Sequence, residues 1–245
     1  MDRRAGCPGS LAPQGSSQVP STRRKPRETR VHELHPTLIH APLVLLPTTV
    51  IVDLAATFSG DRHLDRAGRT LWWGIVGSGL LAGVAGMAAS QEVKADKQPR
   101  DMMLLHGLGN VTLVLGAVGV AMWRASHRAS LFSNLVGLGA FAFASYTGWL
   151  GGEMVYTHGV GVKELTMKDE ELDQLSPRLF SRQAPVRILR DAVKGLGWLL
   201  GRARRVFSGS ELLDPGAYGV KALEPRREGQ PPVKQGGSRP ELRPV

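Results

Sequence analysis

The stretch LIHAPLVLLPTTVIVDLAATFS, residues 38–59, decides the fold of this chain. Its one carboxylate is Asp53, and it contains no Lys or Arg. An α-helix rises about 1.5 Å per residue, so about 20 apolar residues cross the roughly 30 Å hydrocarbon core of a bilayer. Lipid cannot hydrogen-bond an exposed backbone, which favours a helix here. The stretch therefore predicts a membrane-spanning helix.

Three further stretches of the same kind follow, over residues 70–90, 102–123 and 131–156, and Glu153 is their one charged side chain. A soluble bundle would need a polar face on each helix, and these stretches have none. The short connections predict antiparallel neighbours, so the expected fold class is all-α, a polytopic transmembrane four-helix up-down bundle. Small-residue spacing such as Gly79 and Gly83 predicts close helix packing and leaves the oligomeric state open.

The remaining residues are predicted to form tails. Residues 1–30 are a basic, disordered tail ahead of a transmembrane domain over residues 31–162. A cytoplasmic tail with an amphipathic helix follows over residues 163–223, and residues 224–245 are again disordered. Apolar and basic residues alternate over 185–207, which favours a helix lying on anionic lipid over a short soluble helix. No nucleic-acid-binding motif accompanies the net charge of +10, so the expected partner is the lipid bilayer rather than nucleic acid.

Positive charge near the four stretches predicts the orientation. An even number of spans puts both tails and the middle loop on one side of the membrane. Ten Lys and Arg residues near the spans lie on that side, against five on the other. Lys and Arg concentrate in cytoplasmic segments, so the expected location is the bacterial inner membrane, multi-pass, with both termini cytoplasmic. The single cysteine, Cys7, excludes an intramolecular disulfide and a Cys-based zinc site.

The topology brings several polar side chains to the cytoplasmic end of the bundle. His40 opens the first span, His106 lies about one turn into the third, and Glu153 lies near the end of the fourth. These three are therefore expected at one depth. An ionisable group inside a span usually faces the bundle interior. The other polar residues expected at or near this layer are His35, Asn110, Tyr146 and His158.

Three interpretations of this layer stay open: a structural polar clamp, haem ligation, and a metal or proton-handling site. A b-type haem needs two neutral imidazoles from different helices at matched depth, which His40 and His106 would supply, with His106 and His158 as the alternative pair. Catalytic zinc needs three protein ligands, which His40, His106 and Glu153 could supply, but no span carries a recognised metal-binding spacing, so the metal is unknown. Asp53 lies apart, toward the outer side, and is expected to hydrogen-bond a Gly- or Ser-bearing helix.

Nothing in the chain resembles a nucleophile–base motif or a phosphate-binding loop, so it is not expected to be an enzyme by itself. The functions that remain are a haem-b electron-transfer component, a proton- or ion-handling or transporter-associated subunit, and a membrane scaffold. Four spans without broken-helix repeats are few for a standalone transporter.

Two runs resemble a bacterial membrane family. They are HPTLIHAP at residues 35–42 and YTGWLGGEMVYTHGVGV at residues 146–162, with Asp53 and His106 between them. The family is catalogued as domain of unknown function 2231, and the resemblance covers residues 31–162. It implies four spans in a bacterial membrane. Some relatives carry a Rieske-type iron–sulfur domain, which implies a Rieske-type or other redox protein as a partner.

This chain departs from that family pattern in two places. It has no Rieske set of Cys and His ligands, because Cys7 is its only cysteine. Its second span ends GMAASQ at residues 86–91, where relatives often carry an aspartate. The second departure weakens a proton path through that span.

The charge bias makes the orientation testable. A reporter fused after Val245 should give a cytoplasmic signal, and a reporter inserted within residues 60–69 should give a periplasmic one. Alkaline phosphatase and green fluorescent protein activities measure the two locations. A periplasmic signal at Val245 would contradict the orientation and leave the helix count untouched.

Overall fold

The computed structural model describes residues 30, 33–93, 95–161, 176 and 178–218. Within these residues the chain is helical and contains no strand, apart from one isolated bridge between Arg30 and Arg178. The all-α prediction is confirmed for this part of the chain. The tails predicted to be disordered are residues 1–30 and 224–245, and all of these residues except Arg30 lie outside the described part of the chain, as does Cys7.

In the described part of the chain, six α-helices and one short 3-10 helix follow one another. They are α1 (Leu34–Leu38), α2 (His40–Ser59), α3 (Arg62–Glu92), α4 (Lys97–Ser126), α5 (Leu131–Tyr156), α6 (Ala184–Phe207) and the 3-10 helix Pro215–Tyr218. Residues 60–61, 93–96 and 127–130 join α2 to α5 in turn. These connections are shorter than the loops expected from the sequence, because the helices continue beyond their apolar stretches into charged ends.

Local sequence explains where these helices start and stop. Gly60 ends α2 with a φ of 69°, a left-handed conformation that glycine adopts without a Cβ clash. Asp61 then caps α3, since its Oδ1 accepts a hydrogen bond from the backbone N–H of His63 at 2.6 Å. Ser130 and Ser133 form a reciprocal capping box at the start of α5. These caps keep the turns at this end of the bundle short.

Three of the helical segments are long and apolar enough to cross a membrane: Leu34–Ser59, Arg62–Glu92 and Lys97–Ser126. α5 is 26 residues long but falls outside this set. Polar residues along it, Ser133, Asn134 and Ser145 among them, lower its mean hydropathy. The described part of the chain thus contains three candidate spans by length and composition.

The interior of the bundle combines a few large apolar side chains with small ones, and many other large apolar side chains face outward. α3 packs against α2, α4 and α6, while α5 packs against α2 and α4. Trp72, Leu46 and Ile75 form the central apolar cluster together with small residues such as Ala117 and Ala121. The outward surface carries large apolar side chains, including Val44, Ile51, Phe58, Leu81, Leu115, Met122, Phe132 and Leu135. An exposed apolar surface of this extent suits contact with lipid. The small interior residues let the helices approach one another closely.

The charged helix α6 lies across the ends of α3 and α4. Gly195 packs on the backbone of Met87 so closely that a Cβ would overlap the Met87 carbonyl oxygen. Leu199 fills the space over Gly107 in α4. Arg202 pairs with the buried Asp101 of α4. α6 covers the range in which the sequence predicts an amphipathic helix, and one of its faces is held against the bundle.

The segment after α6 adds a second tie to α4. Asp101 Oδ2 accepts a hydrogen bond from the backbone N–H of Asp214 at 2.9 Å. Glu211 accepts from Arg202 and Arg205, each at 3.0 Å. The hydrogen bond from Arg205 holds the pKa of Glu211 below its usual range. The C-terminal part of the described chain is therefore fixed to α4 by charge-assisted hydrogen bonds.

Candidate functional site

His106 sits in a closed polar network inside the bundle. Its Nδ1 lies 2.8 Å from the Thr147 carbonyl oxygen of α5, and a carbonyl can only accept, so Nδ1 carries the proton. Its Nε2 lies 3.0 Å from Asn110 Nδ2, one turn further along α4, and therefore accepts. Thr147 Oγ1 donates to Asn110 Oδ1 at 3.4 Å. This arrangement fits a neutral imidazole in a single tautomer.

His35 of α1 is held in a similar way, by a carbonyl oxygen of α3. Its Nδ1 donates to the Ala82 carbonyl oxygen of α3 at 2.9 Å. Within the described residues, Nε2 of His35 makes no hydrogen bond. A histidine whose Nδ1–H is fixed by a carbonyl presents Nε2 as a lone-pair donor.

Glycines one turn after each accepting carbonyl make both contacts possible. Gly86 follows Ala82 by four residues, and Gly151 follows Thr147 by four residues. A Cβ at Gly86 would lie 2.9 Å from the His35 ring, and a Cβ at Gly151 would lie 3.2 Å from His106 Cε1. Residues four apart share a helix face, and a carbonyl oxygen has a second lone pair beyond its helical bond. The missing side chain exposes that lone pair to the imidazole.

The two imidazoles meet across the bundle. The ring centroids of His35 and His106 lie 6.4 Å apart, and the ring planes are nearly perpendicular, at 85°. Both rings are half-buried. The structure thus pairs His106 with His35, a residue that the sequence placed only at the rim of the layer.

The other predicted residues of this layer lie outside the pair. His40 is exposed on α2, and its Nδ1 donates to the Thr37 carbonyl oxygen at 3.2 Å. Glu153 and His158 are half-buried, and neither makes a side-chain hydrogen bond within the described residues. Tyr146 is exposed and donates to the Tyr218 carbonyl oxygen at 3.3 Å. No group of three His, Cys, Asp or Glu side chains able to hold a metal occurs among the residues that the structure describes.

Asp53 belongs to a buried ion network at the opposite end of the bundle. Its two carboxylate oxygens accept from Arg124 Nη2 at 2.8 Å and from Arg124 Nε at 3.1 Å, a bidentate pair between α2 and α4. Trp72 Nε1 of α3 donates to Asp53 at 2.9 Å. The sequence predicted a Gly- or Ser-bearing partner. Gly68 of α3 does lie against Asp53, but its role is to leave space for the carboxylate, because a Cβ at position 68 would overlap Asp53 Oδ1.

Arg124 extends the network to a second carboxylate. Its Nη1 donates to Asp65 Oδ1 at 3.0 Å and to the His127 carbonyl oxygen at 2.6 Å. Asp65 also accepts from Arg69 at 2.8 Å and from the backbone N–H of Ala129 at 2.8 Å. Two carboxylates and two guanidinium groups balance in charge, and the Arg124 side chain is fully buried. The network joins α2, α3 and α4 and the start of the next connection.

Sequence reasoning missed Arg124, Asp65 and Thr147. The up-down topology offered a signal for the first two, because α2, α3 and α4 carry charges of opposite sign at matched depth at one end of the bundle. Thr147 acts through its carbonyl oxygen, which no residue-type pattern reports. Gly151, four residues after Thr147, could not be distinguished in the sequence from the other glycines of the spans.

Comparison with known proteins identifies one family. The family model described as "Predicted membrane protein (DUF2231)" matches residues 31–164, which is more than half of the chain. No curated protein and no solved structure matches the chain. The matched region contains α1 to α5, and therefore both the histidine pair and the Arg124 network.

Replacing Arg124 by Met should strongly destabilise the protein. The variant keeps an unbranched apolar stem but leaves the buried carboxylates of Asp53 and Asp65 without their shared partner. Breaking a buried pair in this way costs about 3–5 kcal/mol. Unfolding in detergent, followed by intrinsic fluorescence, measures the loss.

The exposed Arg66 of α3 provides the matched control, because Arg66→Met removes the same charge at the same end of the bundle. We expect that variant to stay within about 0.5 kcal/mol of the wild type. Equal losses for the two variants would show that the Arg124 network does not stabilise the fold.

Proposed function

We infer that this chain, which belongs to the DUF2231 family of predicted membrane proteins, is a four-span protein of the bacterial inner membrane with both termini in the cytoplasm. The charge bias near the spans supports this orientation. The dimensions of α5 support a fourth crossing, because its 26 residues extend about 39 Å. Its outward face is apolar, with Leu131, Phe132, Leu135 and Phe141 exposed.

We propose that the His35–His106 pair holds a b-type haem and that the protein transfers electrons. The observation that carries this proposal is the 6.4 Å separation of the two ring centroids. Two imidazoles on one metal ion have ring centres about 6 Å apart, because metal–nitrogen bonds are about 2 Å long. The two ligands come from different helices, as a haem site within a bundle requires.

The hydrogen bonds at Nδ1 support the same assignment. Both histidines donate from Nδ1 to a backbone carbonyl, which fixes the ring orientation and increases the basicity of Nε2. In His106 the Asn110 amide contacts Nε2, so ligation requires the Asn110 side chain to rotate away. Gly86 and Gly151 leave the space that the two imidazoles occupy.

A haem bound here would supply one-electron redox chemistry. The chain would supply the two ligands and the apolar surroundings that exclude water. A Rieske-type or other redox protein is the partner that this function needs. The family likeness suggests such a partner, and the chain itself lacks the ligand set for an iron–sulfur cluster.

A second candidate function is proton handling without a cofactor, and the Asn110 contact favours it. With Nε2 of His106 already accepting from Asn110, the network is complete as it stands. Protonation of His106 would require the Asn110 amide to turn its oxygen toward Nε2 and its nitrogen toward Thr147. Such a coupled rearrangement could connect proton uptake to the contact between α4 and α5.

The visible spectrum of the detergent-purified protein separates the two functions. With ample haem supply, the wild type should show a Soret band and sharp reduced α and β bands. His35→Ala and His106→Ala should each abolish these bands, because each removes one of the two proposed ligands. The exposed His63 and His127 provide matched controls, and their Ala variants should keep the spectrum.

His40→Ala and His158→Ala test the ligand pairs that the sequence suggested, and loss of the bands in either variant would reassign the ligands. Asn110→Leu gives an independent readout. It should leave haem binding intact if haem occupies the pair, and it should cost about 1–3 kcal/mol of stability if the polar network is the functional state. A haem-free wild type would remove the haem proposal.

A further inference from the structure

The surface of α6 is divided into three faces. Successive residues of an α-helix are turned by about 100° around its axis. The first face packs on α3 and α4, and Asp191, Gly195, Leu199 and Arg202 are buried there. The remaining surface is split between an apolar flank and a basic flank.

The apolar flank is uncovered. Its side chains are between 43% and 83% exposed, which is far more than a helix in water normally leaves open. The flank is turned by about 130° from the centre of the buried face. It consists of Val186, Leu189, Val193, Leu196, Leu200 and Phe207.

The basic flank lies on the other side of the buried face, turned by about 120° in the opposite sense. Arg190, Lys194 and Arg205 form it, and their side chains are 55%, 59% and 55% exposed. Trp198 lies between this flank and the bundle, where the guanidinium groups of Arg100 and Arg202 stand 5.7 and 5.6 Å from its ring centre. Trp and Arg side chains at one level are typical of a membrane–water interface.

We propose that α6 lies in the plane of the membrane beside the bundle and binds the anionic phospholipids of the leaflet on the side of the α3–α4 connection. With one face against α3 and α4, a helix in this plane has one flank turned toward the hydrocarbon core and the other toward the headgroups. The apolar and basic flanks match these two directions. The exposed apolar side chains of this flank are of the same kind as those on the outward surface of the spans, and the basic flank complements the charge of anionic headgroups.

The charge pattern argues against a second copy of the chain as the occupant. The apolar residues from Val186 to Leu200 also follow a heptad spacing, so two α6 helices could form a seam. The residues beside that seam are Arg190 and Arg204 on one edge and Ala192 on the other. A parallel pair would then gain no ion pairs, and an antiparallel pair would bring arginines together. A lipid bilayer offers hydrocarbon to the apolar flank and anionic headgroups to the basic flank.

Site-directed spin labelling of the full-length protein tests this placement. In a Cys7→Ser background, the substitutions Val193→Cys and Leu200→Cys report on the apolar flank, and Lys194→Cys reports on the basic flank. Each labelled protein is placed in nanodiscs of phosphatidylcholine with phosphatidylglycerol. We expect the labels at 193 and 200 to be several-fold more accessible to oxygen than to a water-soluble nickel chelate, and the label at 194 to show the reverse.

A second comparison isolates the headgroup charge. In nanodiscs of phosphatidylcholine alone, the label at 193 should become more accessible to the nickel chelate. The double substitution Arg190→Gln and Arg205→Gln, made in the Val193→Cys protein, should remove the difference between the two lipid compositions. Size-exclusion profiles that match the wild type establish that each variant is folded.

Three outcomes would overturn the proposal. Equal nickel accessibility at 193 and 194 would place α6 in water. Dipolar coupling between labels at 193 on two molecules, in nanodiscs that hold two copies, would make the flank a dimer seam. An unchanged accessibility between the two lipid compositions would show that anionic headgroups are not the ligand of the basic flank.

Discussion

The buried guanidinium of Arg124 is the interaction on which the packing of the bundle depends. Apolar helices in lipid gain little by choosing one apolar neighbour over another, so polar contacts and close-packed small residues must select the partners. Arg124 binds Asp53 of α2 and Asp65 of α3 at once, and so sets the relative height and rotation of three helices. Gly68 leaves the space for this contact. An unpaired charge at this position would be costly, which makes other arrangements of the helices unfavourable.

The opposite end of the bundle uses neutral groups for the same purpose. Histidines of α1 and α4 donate to carbonyl oxygens of α3 and α5, and a glycine one turn later exposes each carbonyl. The apolar cluster around Trp72 separates the two polar ends. The ion network therefore suits a structural role, since its charges are all paired. The histidine pair keeps one ring nitrogen, Nε2 of His35, without a hydrogen bond in the described residues.

The sequence predicted the helices well, because long uncharged stretches allow few other structures in a membrane. It also placed His106 and Asn110 correctly within one network, since residues four apart on a helix share a face. It did not predict that His35 rather than His40 would meet His106. The two histidines lie five residues apart, and Ile39 between them keeps helical φ and ψ values of −63° and −22°, so the helix period turns them about 140° from each other. Which of the two faces packs against α3 depends on tertiary contacts that this spacing does not report. Asp53 was located at the correct end, but its partner lay at the edge of the apolar stretch, where Arg124 was read as a loop residue.

The attachment of α6 connects its apolar and basic flanks to the histidine pair. Leu199 of α6 fills the space over Gly107, the residue next to His106. Helix α6 therefore contacts α4 directly beside the histidine pair. The Arg202–Asp101 pair fixes the same helix to α4 at a position between one and two turns nearer the start of α4. A force that moves α6 relative to the bilayer would therefore act on the turn of α4 that holds His106. Helix α3 takes part as well, because Met87 supports Gly195 while the neighbouring Gly86 supports His35. His106 lies on α4, and His35 packs on α3 through its hydrogen bond to Ala82. These are the two helices against which α6 packs.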